Sequence, residues 1–259
     1  METVIGADDI KAYLETHDDF ALEIFVLKNA LSMNFIVDHG GTYTDLCTGK
    51  FRQFDLRVSK QEYDFRLALT IECKSLKKYF PLVISRLKRS KNESFHQCIY
   101  SKQAYPYRIS HYYDESIITR DDFYKVGEFV GKSTIQIGRD IQKEFAKNDG
   151  EAYDKWNQAL NSANEIISSS FNYFYPHNSN RITTLIIPVL VVPNGTLWVV
   201  DYDENGEMVR DPVSVDETQL YVNREYVFDD FPTYNISHMH FYTKDGICNF
   251  FERIINDRK

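Results

Sequence analysis

Cysteine is scarce and unpatterned in this chain. Cys47, Cys73, Cys98 and Cys248 are the only four in 259 residues, and no two stand at Cys-x-x-Cys spacing. That excludes a zinc-finger or disulfide framework and fits a reducing cytoplasm. Long apolar runs are missing as well: none reaches the roughly 18 residues of a membrane span. Met1-Glu2-Thr3-Val4 offers neither the basic nor the apolar region of a signal peptide. A cytoplasmic protein without membrane association is therefore expected. Nor is there a basic surplus, since 30 Lys and Arg against 38 Asp and Glu leave a formal net charge of −8. Coating nucleic acid over the whole surface is thereby excluded, whereas a local basic channel is not. A complete P-loop is lacking too. Gly131-Lys132-Ser133-Thr134 has its ending, but Val126 stands where the earlier glycine belongs, so ATP binding is not expected there. No repeat, low-complexity tract or linker divides the chain, which predicts one domain over residues 1–259. The hydrophobic fraction of 43% supports a packed core.

What is present is concentrated in two stretches, Gln53-Phe54-Asp55-Leu56-Arg57 and Leu67-Ala68-Leu69-Thr70-Ile71-Glu72-Cys73-Lys74. Alternate residues of a strand share a face. Leu67, Leu69, Ile71 and Cys73 then take one face with Phe54, Leu56 and Val58. Ala68, Thr70, Glu72 and Lys74 take the other with Asp55 and Arg57. A fold-back near Tyr63 and Asp64 makes a hairpin that sets Asp55 opposite Glu72, with Lys74 beside them. Two close carboxylates repel unless one holds a proton or a cation lies between them. A hard divalent cation such as Mg²⁺ takes oxygen ligands, and one or two carboxylates with water and substrate phosphate suffice. Such an ion lowers the pKa of a bound water and offsets charge developing on a phosphate. Lys74 would orient that water or steady the transition state, and the carbonyl of Cys73 offers a further ligand. The alternative is an exposed hairpin edge with a surface ion pair between Glu72 and Lys74 or Lys78.

Asp55 on one strand and Glu72-Cys73-Lys74 on the next resemble the PD-(D/E)XK nuclease superfamily, the restriction-endonuclease-like fold. Phe54 replaces the proline of the family's name, at a position that varies. Residues carry the resemblance over roughly the first half of the chain, and element order carries it over the rest. It implies a Mg²⁺-dependent nuclease, with Mn²⁺ able to substitute, that hydrolyses phosphodiester bonds in DNA, RNA remaining open. A role in restriction or anti-phage defence, as a homodimer or a subunit of a defence complex, fits the same resemblance. It further implies that Asp55 and Glu72 hold the metal, that Lys74 acts on the attacking water, and that Glu23 on the preceding helix joins the site. Some members carry a Gln or Lys on the helix after the hairpin. Gln136 matches that position, and a capping box begun by Ser133 is the other reading of it. The competing class is a non-catalytic nucleic-acid-binding or scaffold module on the same fold. The complete Asp55, Glu72 and Lys74 set speaks against that class.

Phosphate contacts are expected from Arg57 and from the basic run Lys77, Lys78, Arg86, Lys88 and Arg89, where no acid falls between Glu72 and Glu93. A solvated basic loop is the other reading. Apolar spacing predicts a helix over 10–31, with Phe20, Ile24, Leu27 and Leu31 as its stripe and Glu23 inside it. A strand over 34–37, a glycine turn at 39–42 and a strand near 81–84 follow. An irregular insertion is expected over 90–128, its Tyr105, Tyr107, Tyr112 and Tyr113 available for stacking on bases or for packing. Helices are expected over 133–147 and 151–172, the second striped by Trp156, Leu160, Ala163 and Ile167. The continuous apolar run 182–192 reads as a strand buried on both faces, with a bulge or edge at Pro188. It turns at Pro193-Asn194-Gly195 into an antiparallel partner over 196–201. Strands over 221–229 and 236–242 and a helix over 247–256 close the chain. His238 and His240 share a face, but no third ligand has a convincing spacing, so packing is the expected role. The fold class predicted is α/β: a central mixed sheet flanked by helices, a restriction-endonuclease-like core with an insertion.

Overall fold

The computed structural model describes residues 4–17, 19–45, 48–104, 108–112, 123–139, 145–147, 150–171, 181–229 and 233–256. Along them run α1 (Ala7–His17), α2 (Phe20–Ser32), β1 (Ile36–His39), β2 (Thr42–Thr44), β3 (Phe51–Gln53), β4 (Leu56–Glu62), β5 (Phe65–Cys73) and β6 (Leu82–Lys88). After a single 3-10 turn come β7 (Cys98–Ala104), β8 (Arg108–Tyr112), β9 (Phe129–Arg139), β10 (Phe145–Lys147), α3 (Gly150–Phe171) and β11 (Arg181–Val192). The last elements are β12 (Leu197–Asp201), β13 (Val213–Ser214), β14 (Glu217–Tyr226), β15 (Tyr234–Thr243) and α4 (Lys244–Asn256).

Thirteen strands form one mixed sheet in the order β1-β4-β5-β11-β15-β14-β9-β6-β12-β13, with β10 on β9, β7 on β11 and β8 on β7. β2 and β3 form a separate two-stranded ribbon. The architecture is α/β with helices on a central mixed sheet, as the sequence predicts. β4 and β5 are the expected hairpin, turning at Tyr63, which adopts φ +52°. Their register, Leu56 opposite Ile71, carries Asp55 to the level of Glu72. β11 lies parallel to β5 along nine residue pairs and parallel to β15 at its C-terminal end.

Two apolar layers hold this sheet. Leu56, Val58, Leu67, Leu69, Ile71 and Cys73 face α2 and α4 through Leu22, Val26, Ile247 and Phe251. The opposite face presents Ala68, Ile186 and Leu190 to Ala159, Leu160, Ala163 and Ile167 of α3. β11 feeds both layers, since Leu185, Ile187, Val189 and Val191 belong to the first and Ile186, Leu190 and Val192 to the second. Its apolar run therefore has no polar alternation. Pro188 falls where β11 has left β7, paired up to Leu185, and not yet met β15, paired from Val189, so its missing N–H breaks no ladder there.

Several expectations need correction. The single helix over 10–31 is two helices, because Asp19 sits at the N-cap of α2 and spends its Oδ1 on the Ser75 N–H (2.6 Å). The first strand starts two residues later than expected, after Asn34 adopts φ +60°. The segment 90–128 is not irregular throughout, since β7 and β8 extend the sheet from β11. Tyr105, Tyr107 and Tyr113 lie outside the described residues. No helix forms over 133–139. That stretch belongs to β9, where Thr134, Ile135 and Ile137 favour a strand and seven residues pair with β6. Thr196 to Asp201 turns away from β11 and pairs in parallel with β6 instead. No described helix is long and apolar enough to cross a membrane.

The start of α4 is packed tightly enough to give a first prediction. A Cβ at Gly246 would lie 1.9 Å from the carbonyl oxygen of Asp216. That oxygen accepts the Thr243 N–H (2.8 Å), so the backbone cannot yield easily. Gly246→Ala is expected to destabilise the protein by about 2–3 kcal/mol, as overpacking does, and urea unfolding measures it.

Candidate active site

Asp55 precedes β4 and Glu72 is the penultimate residue of β5, so the hairpin register alone brings them together. Backbone bonds lock the pair. The Cys73 N–H donates to Asp55 Oδ2 (2.8 Å), and the Asp55 N–H reaches Glu72 Oε1 at 3.4 Å. Both carboxylates are buried, Glu72 completely. The Cys73 side chain points the other way, into the apolar layer, so only its backbone can serve this site.

The cation between them is Lys155, which the sequence reading did not single out. Its Nζ lies 3.2 and 3.0 Å from the two oxygens of Asp55 and 3.3 Å from Glu72 Oε2. Topology puts it there. α3 leads into the start of β11, which is parallel to β5, so the first turns of α3 overlie the C-terminal end of β5. Thr70 Oγ1 donates to the Ala159 carbonyl (2.8 Å) and Tyr226 Oη to the Leu160 carbonyl (2.7 Å), fixing the helix one turn beyond Lys155. The available signal was Lys155 lying one turn before Ala159, on the edge of the buried stripe.

Lys74 stands just past the end of β5. Its amide donates to the Val191 carbonyl (2.9 Å), and its ammonium lies 3.7 Å from Asp19 Oδ2. The charge of Asp19 also acts on Lys155. Glu23 comes from α2 as expected, and its Oε2 is 3.0 Å from His39 Nε2 at the end of β1. The exposed ring of Phe20 lies 5.7 Å from that imidazole.

Electrostatics tie these groups together. Burial, then the charge of Asp55, pushes the Glu72 carboxyl well above the ordinary carboxylate range, against the pull of Lys155. Burial and then Asp55 also raise Glu23, with His39 and Lys155 opposing. The Lys155 ammonium is held up by Glu72 and Asp55 although burial works against it. Tyr43 is buried beside this cluster. Its phenol is pushed up to about 12 by burial and then by the charge of Glu72, and its Oη has no hydrogen-bond partner among the described residues.

The proposed phosphate contacts divide. Arg57 Nη2 is held by Glu165 Oε2 (2.9 Å) and the Ser162 carbonyl (3.2 Å) of α3, with the guanidinium over the Phe54 ring. Lys77 and Lys78 follow Lys74 in the turn that leaves β5, with the Lys78 side chain near Gly195. Arg86, Lys88 and Arg89 lie away from the site. β6 is five strand spacings from β5, about 24 Å along the sheet. Arg86 is paired with buried Asp201 (2.7 Å), and buried Arg89 donates to His238 Nε2 (3.2 Å), the Gln219 amide oxygen and the Lys125 carbonyl. Gln136 lies on β9, four strands from β5, and donates to the Phe80 carbonyl (3.2 Å). It is a strand residue fixed in the core, not a helical residue aimed at Asp55 and Glu72.

His238 and His240 pack, as expected. Tyr124 stacks on His238 at 3.8 Å between ring centres and shares a 2.8 Å hydrogen bond with His240 Nε2. A cleft of about 1190 Å³ lies at the far side of the sheet, lined by Ser85, Arg86, Lys88, Phe129, Lys132 and Tyr202 among others. Asp203 on its rim is taken up by the backbone N–H groups of Asn205 and Glu207. This cleft is thus separate from the carboxylate cluster at the hairpin.

Comparisons with protein-family models, curated proteins and solved structures return no match. Among the described residues no group of three or more His, Cys, Asp or Glu is arranged to hold a metal. Two carboxyl groups nevertheless converge on one cationic atom. This hard, oxygen-only donor pair fits a cation of the Mg²⁺ kind, which needs few protein ligands.

Proposed function

We propose that the chain is a Mg²⁺-dependent nuclease of the PD-(D/E)XK type that hydrolyses phosphodiester bonds in DNA, its restriction-endonuclease-like core running from α2 through the hairpin and α3 to β11. The observation that supports this best is the convergence of Asp55, Glu72 and Lys155 at the end of β5. Asp55 and Glu72 would hold the ion, with the Cys73 carbonyl as a further ligand and Mn²⁺ as a substitute. When bound, such an ion supplies an activated water and offsets charge on the phosphate. The residues of the chain do the rest. The Cys73 N–H orients Asp55 and the Asp55 N–H orients Glu72. Lys155, with Lys74 from the Asp19 side, presents positive charge where the phosphoryl oxygens become more negative. Glu23 and His39 form a pair able to hold a proton at the edge of the site. Lys77 and Lys78 would meet the flanking phosphates. A place in restriction or anti-phage defence, as a homodimer or partner subunit, belongs to the same reading.

Supercoiled plasmid with Mg²⁺, Mn²⁺ or EDTA tests it. Metal-dependent nicking is expected, reduced about 100-fold or more in Asp55→Ala and Lys155→Ala and roughly ten-fold in Lys74→Ala. Nicking that survives Asp55→Ala contradicts the assignment. The Lys155 bridge also favours a second reading, a buried ion network on a non-catalytic module. Under that reading the folded protein neither nicks nor binds Mn²⁺.

A further inference from the structure

Phe51 is 82% exposed, four residues before Asp55. It lies on the β2–β3 ribbon, opposite Thr44, with Gln53 opposite Thr42. Paired residues share a face, so Phe51, Gln53, Thr42 and Thr44 form one side of the ribbon, all exposed. The other side carries Tyr43, which packs beside Glu72. The ribbon is held firmly. Its end is closed by the Asp45 N–H to the Lys50 carbonyl (2.9 Å), the Gly49 N–H to the Asp45 carbonyl (2.7 Å) and the Arg52 Nε to Asp45 Oδ2 (2.7 Å). The Thr44 N–H is tied to Glu165 of α3 (3.2 Å), and Gln53 Nε2 to the Gly40 carbonyl (3.1 Å). The large ring is therefore presented by a fixed ribbon that leads straight into the carboxylate site.

The neighbours of Phe51 decide what it suits. Among the described residues they are an exposed lysine, Lys50, two threonines and a glutamine, whereas a protein-docking patch needs contiguous apolar area. An exposed ring beside one ammonium and two hydroxyl groups suits the flat face of a nucleobase with its phosphate beside it. A base inside a duplex has both faces stacked already, and an unpaired base does not. We infer that Phe51 is a stacking platform for an unpaired base, and that the substrate class of the Asp55–Glu72 site is single-stranded nucleic acid or a strand with unpaired bases. This rests on the nuclease reading.

The test uses the full chain with Ca²⁺ in place of Mg²⁺, a labelled oligothymidylate, and a duplex of equal length. Wild type is expected to bind the single strand more tightly than the duplex. Phe51→Ala should weaken single-strand binding roughly ten-fold and leave duplex binding unchanged, and the added indole emission of Phe51→Trp should be quenched by the oligonucleotide. Exposed Phe51 carries no core packing, so both variants fold. Single-strand binding equal in Phe51→Ala and wild type overturns the stacking role while the nuclease reading stands. Duplex binding as tight as single-strand binding in wild type overturns the substrate class. Binding to neither, with no nicking of any substrate, removes the nuclease reading and this inference together.

Discussion

Lys155→Met, in EDTA at pH 7, is expected to lose about 3–5 kcal/mol of stability, because it leaves two buried carboxylates facing each other without their cation. Methionine preserves most of the side-chain volume, so the loss reports charge and not a cavity. The loss depends on pH in a definite direction. The Glu72 carboxyl sits well above its ordinary range in the fold, so the folded state holds that proton more tightly than the unfolded chain. Stability therefore falls as pH rises from about 4.5 through the raised value, and it recovers on acidification. Removing Lys155 removes the main group pulling Glu72 down, which steepens the dependence. Mn²⁺ should replace the missing charge. At a hundred-fold excess over its dissociation constant a ligand stabilises by about 2.7 kcal/mol, and the variant should gain more from it than wild type does. Urea unfolding with and without Mn²⁺ measures both effects. A loss below about 1 kcal/mol in EDTA would mean that the ammonium does not neutralise the pair, as for an exposed ion pair.

The second large effect is acid unfolding, and it arises elsewhere in the fold. His96, His238 and His240 are buried. Burial lowers His96 to about 4, His240 to about 3 and His238 to about 2, with the nearby charge of Arg89 adding to the last two. The unfolded chain takes these protons near pH 6.5 and the folded chain does not. Their contribution is complete above pH 6.5 and is lost as pH falls towards the folded values. At pH 5 each histidine costs about 2 kcal/mol and the three together about 6 kcal/mol, at 1.36 kcal/mol per pH unit. That is comparable with the whole stability of an ordinary domain. A cooperative acid transition between pH 6 and 4 is expected, with about three protons taken up. His96→Leu should shift its midpoint to lower pH and remove one proton, since the Nε2 of His96 has no hydrogen-bond partner among the described residues. A transition unchanged in His96→Leu would contradict this origin.

The legible parts of the sequence were those where one physical rule dominates. Alternation from Leu67 to Cys73 and the turn at Tyr63 fixed the hairpin, and with it the meeting of Asp55 and Glu72. The unbroken apolar run of β11 announced a strand buried on both faces, and the stripe of α3 announced its helix. The stripe expected on α2 was not the buried one: Leu22, Val26 and Ala30 are buried while Phe20 and Leu31 are exposed, and Glu23 pairs with His39 beside that face. Long-range placement was not legible. Lys155 reaches the carboxylates from 83 residues beyond Glu72, and only the antiparallel run of α3 over β5 brings it there. The basic run after Lys74 looked like one patch because its residues are consecutive. β6 crosses to the far part of the sheet and takes Arg86 and Arg89 into structural pairs. The capping-box spacing of Ser133 and Gln136 suggests a helix over 133–147, but the strand-forming Thr134, Ile135 and Ile137 between Gly131 and Gly138 carry the stronger signal and put 133–139 in β9.

Calorimetric titration of Mn²⁺ into the folded protein at pH 7, beside Asp55→Asn and Glu72→Gln, tests the central claim most directly. Saturable binding that both substitutions abolish, with each variant still folded, is the result predicted for a metal-dependent site at the end of β5. Binding of equal affinity in both variants, or none in folded wild type, would contradict it and leave Asp55, Glu72 and Lys155 as a buried ion network.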